Sequence, residues 1–325
     1  MSLPAASVSV SVVVVGGGLA GLRCARGRAA AGASVLVLDK GRAPGGRMST
    51  RRVGDAAWDH GVHRFEARDP AFVAACERWA AAGVAKPDSG GWRGMPYAAS
   101  VVEHEVAGAE EAGVEVRFGV EVTEVVRLDG RGWRVAAVEP NGGRLEVDAS
   151  EVVLACPPPQ AAALLRGTGH GLAGVASSVP MVARWALLAE VRGGDDLGVG
   201  VRPPLERVDS RPLAGLDGDG LGGLAVVGRP VAGWSERHRE LAKPEAAERL
   251  AAGLVVRGGA VVGVRVHRWL YAAVDDAAGF ERRVCWSEDG VTLCGDAYAG
   301  RGLRWGVESA WLSGEAAGAR GGSSG

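Results

Sequence analysis

From Val8 to Val15 the chain is an apolar, β-branched run. That is the pattern of a buried parallel strand rather than of a half-solvated one. Gly16 to Gly21 predicts a tight turn, and the Ala- and Arg-rich stretch from Leu19 to Ala31 reads as a helix that closes near Gly32. Ser34 to Leu38 is a second buried strand ending at Asp39. Strand, helix and strand make a βαβ unit, whose crossover is expected to be right-handed.

Gly41 to Arg52 reads as a loop rich in Gly and Arg, and Trp58 to Phe65 as a short strand and turn. Pro70 to Ala82 predicts a helix, with Asp69 ahead of Pro70 at the first helical position. Lys86 to Gly94 reads as loop and Ala98 to Gly113 as helix. Alternating segments follow at Val114–Phe118, Glu121–Leu128, Trp133–Val138 and Arg144–Val147. Asp129-Gly130 and Asn141-Gly142 between them are hairpin signals, so the region reads as a β-meander. Glu151 to Ala155 is a separate buried strand stopped by three prolines, after which Gln160 to Leu165 starts a helix. Beyond Met181 the expected elements are strands at Arg184–Val191, Leu224–Val227 and Val261–Trp269. Gly193 to Gly223 reads as loop, and Ser235 to Gly253 as a helix in two pieces with Pro244 opening the second. A final strand, Val291–Cys294, and a final helix, Val307–Ala317, close the pattern.

The length of 325 residues and the 47% hydrophobic content allow two domains with a sizeable core. A net charge of -1 points away from nucleic acid and anionic membranes as partners. The five cysteines are scattered without a CxxC, which argues against a disulfide framework or a zinc site and for a reducing, cytoplasmic setting. No metal is expected. MSLPAASVSVSVVVV lacks a basic start and is expected to be the first strand rather than a signal peptide. No stretch has the length of a membrane-spanning helix. Monomer and homodimer are equally compatible with these properties.

Gly16, Gly18 and Gly21 fit GxGxxG in its required place, after a strand and opening a helix. The first glycine permits the turn, the second lets backbone approach a pyrophosphate, and the third allows close helix–strand packing. The helix start at Leu19 and Ala20 offers unpaired N–H groups to the phosphates. Asp39 stands where an acidic side chain accepts from ribose hydroxyls and repels a 2′-phosphate. The next residues, DKGRAPGGRMSTRR, add a second glycine loop. Gly45 and Gly46 permit backbone approach, and Arg47 can neutralise a phosphate or lie along the flavin side of a pyrophosphate. Such a loop suits a ligand longer than NAD.

Here the chain resembles the FAD-containing amine-oxidase superfamily, and within it the renalase-like branch. The resemblance rests on DKGRAPGGRMSTRR, WDHGVHRFEARDPAF, VVLACPPPQAAALL, GWSERHREL, HRWLYA and GDAYAGRGLRWGVESAWLSG, collinear over nearly the whole chain. It departs at His63 and Arg64, where the family has Gln and an aromatic, and at Leu270, where a polar or basic residue is common. The resemblance implies FAD as cofactor. It places contacts at Lys40, Gly46, Arg47, Met48, His60 and Gly61, and at the Val122 backbone against the adenine. It also implies that Gly295 and Asp296 hold the ribityl chain, and that Trp305, Gly306 and Val307 bring the last helix start to the flavin ring.

Ring neighbours implied by the resemblance are His63, Trp269 and Tyr271 as catalytic candidates, and Arg64 and Trp185 as substrate contacts; Arg304, in the loop before the last helix, is a further substrate candidate. Trp269 and Tyr271 alternate along one strand and share a face, as an aromatic wall or as core. His267 reads as a core imidazole or a ring neighbour. Arg51, Arg52, Arg301 and Arg304 read as solvated or as binders of an anionic substrate.

The expected architecture is α/β. A Rossmann-like FAD-binding domain (three-layer, mostly parallel sheet; residues 8–73, 98–160 and 285–320) joins an α+β substrate domain with antiparallel sheet (74–97 and 161–284), and 321–325 form a flexible tail. The implied function is a renalase-like oxidase that passes hydride from isomeric forms of NAD(P)H to flavin and electrons to O2, giving H2O2. An amine oxidase or dehydrogenase, or a non-redox flavoprotein isomerase, is the alternative.

Overall fold

The computed structural model describes residues 6–129, 132–214, 222–275, 284–298 and 306–322. In chain order the elements begin with β1 (Ala6–Val15), α1 (Leu19–Ala30), β2 (Val35–Asp39), β3 (Thr50–Val53), β4 (Ala56–Asp59) and α2 (Pro70–Ala81). Next come β5 (Ala85–Asp88), β6 (Gly91–Gly94), α3 (Ala99–Glu111), β7 (Glu115–Phe118), β8 (Glu121–Arg127), β9 (Trp133–Val138) and β10 (Arg144–Leu154). They continue with α4 (Pro158–Leu165), α5 (Leu172–Ser177), β11 (Met181–Val201), β12 (Leu205–Pro212) and β13 (Leu224–Pro230). The chain closes with α6 (Trp234–Arg237), α7 (Lys243–Ala251), β14 (Leu254–Val274), β15 (Cys285–Trp286), β16 (Val291–Leu293) and α8 (Val307–Gly318).

Two compact units result. One comprises residues 1–47, 64–180 and 273–325; the other comprises 48–63 and 181–272. The first is built on a sheet ordered β15-β16-β10-β1-β2-β7, with β9 and then β8 continuing antiparallel from β10. The pairs β1–β2, β1–β10, β2–β7 and β10–β16 are parallel. The fold is therefore α/β with a Rossmann-like parallel sheet, as the βαβ pattern implies. Strand order reverses around β1, so the crevice beyond its C-terminal end is the switch point where ligands bind in open α/β sheets.

Small residues let α1 and α8 pack closely. A Cβ on Gly314 would lie 2.4 Å from the Ala20 carbonyl oxygen, and one on Gly27 would lie 2.8 Å from Gly318 Cα. Ion pairs then fix the helices. Arg23 on α1 reaches Glu105 on α3 at 3.0 Å and donates to Glu315 on α8 at 2.7 Å. Glu105 also accepts from the Trp79 indole of α2 at 2.8 Å. At the start of α8 the buried Glu308 carboxylate accepts from the Arg68 and Asp69 amides at 2.6 and 2.7 Å, just ahead of α2.

The second unit is an antiparallel sheet ordered β12-β13-β11-β14 with the β3–β4 hairpin. Trp58 of β4 is buried with Ala186, Leu188, Leu213, Ala225 and Val227, and its indole donates to the Ala189 carbonyl at 2.9 Å. That packing puts residues 48–63 in this unit, whereas the sequence pattern placed them with the cofactor domain. Conversely, 74–97 belong to the first unit, because α2 packs Phe72 against Trp311 and ties Trp79 to Glu105.

Other expectations shift locally. Lys86 to Gly94 is not loop but the β5–β6 hairpin, closed at Ser89 and Gly90 with φ of 42° and 84°. The segment read as loop after Gly193 contains the end of β11 and all of β12. Gly130 and the end of the expected tail lie outside the described residues. Among the described residues no helix is long and apolar enough to cross a membrane.

Gly314 has no space for a side chain, so Gly314→Val should destabilise the protein by about 2 kcal/mol through overpacking against α1. Urea unfolding of the variant checks this, and an unchanged midpoint would contradict the packing account.

Candidate functional site

The three glycines of the first loop differ in what requires them. Gly16 has φ of 112°, and its Cβ would meet the Ala155 backbone at 2.9 Å, so the turn and the neighbouring strand both exclude a side chain. Gly21 would place a Cβ 2.0 Å from the Gly16 carbonyl oxygen. Gly18 is the N-cap of α1 with φ of -79°, and nothing lies within 4 Å of an added Cβ. Neither conformation nor packing calls for glycine there. Open space over the uncapped start of α1 is what a pyrophosphate approaching the backbone requires.

Asp39, at the end of β2, accepts from the Gly17 amide through Oδ2 and from the Gly41 amide through Oδ1, each at 2.6 Å. Both bonds fix the carboxylate beside the loop and leave each oxygen a second lone pair. Lys40 is exposed next to it. The second glycine loop folds onto the first, since a Cβ on Gly46 would lie 3.5 Å from Gly18 Cα.

Arg47 then reaches across to the far end of the chain. Its Nη1 donates to Asp296 Oδ2 at 2.8 Å, and its Nη2 pairs with Oδ1. Burial opposes the charge on Arg47, yet Asp296 holds its pKa above the ordinary value. Asp296 sits in a short turn after Gly295, whose amide donates to Ser313 Oγ of α8 at 2.9 Å. Gly306, with φ of 150°, opens α8 ahead of Val307, and its amide donates to Ser309 Oγ at 2.9 Å. Val122 lies at a β-bulge in β8. Leu19, Ala20 and Val307 are buried at the first turns of their helices. Met48, His60 and Gly61 fall in the second unit. Trp305, Arg304 and Arg301 lie outside the described residues.

In the second unit β14 places Arg265, His267, Trp269 and Tyr271 on one face. The His60 and His267 ring centroids are 4.5 Å apart, and His267 and Trp269 are 4.2 Å apart. His60 stacks on Trp269 at 5.2 Å, and the Trp269 indole donates to the His60 carbonyl at 3.1 Å. His60 Nδ1 donates to the Trp58 carbonyl at 3.2 Å, so Nε2 carries the lone pair. Burial, then the charges of Arg51 and Arg229, depresses the His60 pKa against the pull of that bond. Burial, then His60, Arg51 and Lys243, lowers His267 to about 3. Both imidazoles are neutral at physiological pH.

His63 is engaged on both ring nitrogens. Nδ1 accepts from Arg229 at 3.0 Å, and Nε2 meets Asp209 at 3.1 Å. Burial opposes ionisation of Asp209, but the His63 hydrogen bond and the charges of Arg229 and Arg207 hold it at about 2. Asp209 and Arg229 escaped the sequence reading. The alternation of Arg207, Asp209 and Arg211 was the available sign of a charged strand face. Two substrate expectations meet different surroundings. Trp185 is buried in the core, where its indole donates to the His238 carbonyl at 3.0 Å and Arg268 covers its ring. It is a packing residue because the side of β11 it occupies faces α6 and α7. Arg64 is half exposed and paired with Asp88 at 2.9 Å in the first unit.

An NAD(P)-binding Rossmann-like domain model matches residues 14–79. A putrescine oxidase redesigned in its cofactor binding shares 13% identity at a TM-score of 0.63, over 97% of this chain and 99% of that one. A flavoprotein/dehydrogenase from Cytophaga hutchinsonii shares 16% at 0.50, over 97% and 77%. The anhydrotetracycline hydroxylase OxyS from Streptomyces rimosus shares 18% at 0.56; 97% of this chain matches, but it spans only 62% of that chain. These likenesses show a common fold.

The depressed basicity of His267 has a stability consequence. The unfolded chain binds a proton near pH 6.5 that folded His267 refuses until about pH 3, so stability falls as pH drops through that window. Between pH 6.5 and 5 the loss should be on the order of 1 kcal/mol, and His267→Phe should remove it. Denaturant unfolding of both proteins at the two pH values decides; an equal pH dependence would contradict the assignment.

Proposed function

We propose that the chain is an FAD-dependent oxidoreductase whose electron donor is a dihydronicotinamide in an isomeric form of NAD(P)H, with O2 as acceptor. The observation that supports this most is the meeting of three distant segments. Gly18 leaves open space, Gly46 folds against it, and Arg47 is clamped by Asp296. A dinucleotide limited to the βαβ unit would need only the first of these. The flavoprotein likeness and the renalase-like motif order agree with the reading.

In this reading Gly16, Gly18 and the amides of Leu19 and Ala20 receive the pyrophosphate, with Gly21 packing the helix down. Asp39 accepts from the adenosine ribose, and its charge disfavours a 2′-phosphate at this position. Val122 offers backbone to the adenine. Gly295 and Asp296 hold the ribityl chain, and Gly306 and Val307 direct the start of α8 at the flavin. Bound FAD supplies acceptance of a hydride and re-oxidation by O2 with release of H2O2. Trp269 and Tyr271 form an apolar wall that orients a planar ring. His60 and His267 stay neutral in the same strip. His63 acts as a positioning residue, because its ring is held between Asp209 and Arg229.

Gly18→Val should leave the fold intact, since its Cβ meets nothing, yet yield colourless protein. A folded, yellow variant would contradict the cofactor placement. With the native protein, anaerobic addition of a 2- or 6-dihydro isomer of NADH should bleach the flavin, and air should then release H2O2. If those isomers leave the flavin oxidised while an amine bleaches it, the donor assignment fails.

A further inference from the structure

Arg51 is the one feature of the aromatic strip that packing does not explain. It lies on β3, directly across from Trp58, whose carbonyl holds the His60 ring. It is half-buried and makes no ion pair or side-chain hydrogen bond among the described residues. The two carboxylates nearest in sequence are engaged: Asp55 pairs with Arg192 at 2.8 Å, and Asp59 accepts from the Thr50 hydroxyl at 2.6 Å and pairs with Arg211. Asp209 is taken by His63 and Arg229. Arg51 and Lys243 both act electrostatically on His267. The strip thus combines a surplus of positive charge with three clustered rings, two of them neutral imidazoles and one pair, His60 and Trp269, stacked.

We infer that Arg51, His267 and Trp269 form a binding site for a planar ring carrying an anionic group, with Arg51 holding the anion and Trp269 and His267 holding the ring. A half-buried guanidinium without a carboxylate partner retains its donors for a carboxylate or a phosphate. Trp269 is fixed by its bond to the His60 carbonyl, so its face is preorganised. Among the described residues His267 makes ring contacts and no hydrogen bond, which leaves its nitrogens to a ligand polar group. The same surplus charge repels amines. The inference rests on the oxidoreductase reading only in making the ring a hydride donor; binding itself is independent of flavin.

Titration calorimetry on the oxidised full-length protein, with benzoate and phenyl phosphate as probes and benzamide and benzylamine as controls, tests the site without turnover. The ring anions should bind, and the neutral and cationic rings should bind at least about tenfold more weakly. Arg51→Gln should weaken the anions by a similar factor, Arg51→Lys should restore part of it, and Trp269→Leu should weaken both anions. Preference for benzoate or for phenyl phosphate distinguishes a carboxylate ligand from a phosphorylated one. Equal binding of benzamide, unchanged affinity in Arg51→Gln, or no binding of either anion would overturn the site. Should Arg51→Gln fail to fold, the benzoate–benzamide comparison on native protein decides alone. A protein that binds the anions yet resists reduction by dihydronicotinamides would retain this site and lose only the donor assignment.

Discussion

The first unit depends on one ion pair. Arg47 comes from a loop that follows β2, and Asp296 from the turn after β16, yet two hydrogen bonds join them. The pair joins segments from opposite ends of the chain. Asp296 is buried, and removing Arg47 would leave it an uncompensated charge, which is why such pairs resist loss of either partner. Around this clamp the glycines divide the labour: Gly16 and Gly21 serve the turn, while Gly18 keeps space free.

The second unit answers to a different constraint. Its antiparallel sheet presents alternate residues of β14 to one side, and there Trp269 and His267 gather on His60. Burial and neighbouring cations keep both imidazoles neutral. His63 is held by Asp209 and Arg229 instead, in a network that spans β12, β13 and the segment after β4.

Much of the first unit is legible in the chain's pattern, because a parallel sheet buries both faces and writes continuous apolar runs. β1, β2, β16, α1 and α8 lie within a residue or two of expectation. β10 reads as two strands but is one. Up to Ala149 it pairs with antiparallel β9 and alternates buried with open positions; from Val152 it pairs with β16 and is wholly buried. The change of partner breaks the pattern without breaking the strand. The β5–β6 hairpin is hidden because its strands carry Lys, Pro and Asp rather than an apolar alternation. At the site, the glycine loops and Asp296 announce themselves by motif. The Arg47–Asp296 pairing, the Asp209–His63–Arg229 network and the isolation of Arg51 do not, since each depends on residues far apart in sequence.

We propose that the loop at Gly18 and the clamp at Asp296 belong to one FAD site. The most direct measurement is to strip the purified protein of bound small molecules and titrate it with FAD, FMN and NAD+ by calorimetry. One FAD per chain should bind, much tighter than FMN or NAD+, with that preference lost in Asp296→Ala. Tighter binding of NAD+ than of FAD, or unchanged FAD affinity in Asp296→Ala, would contradict it.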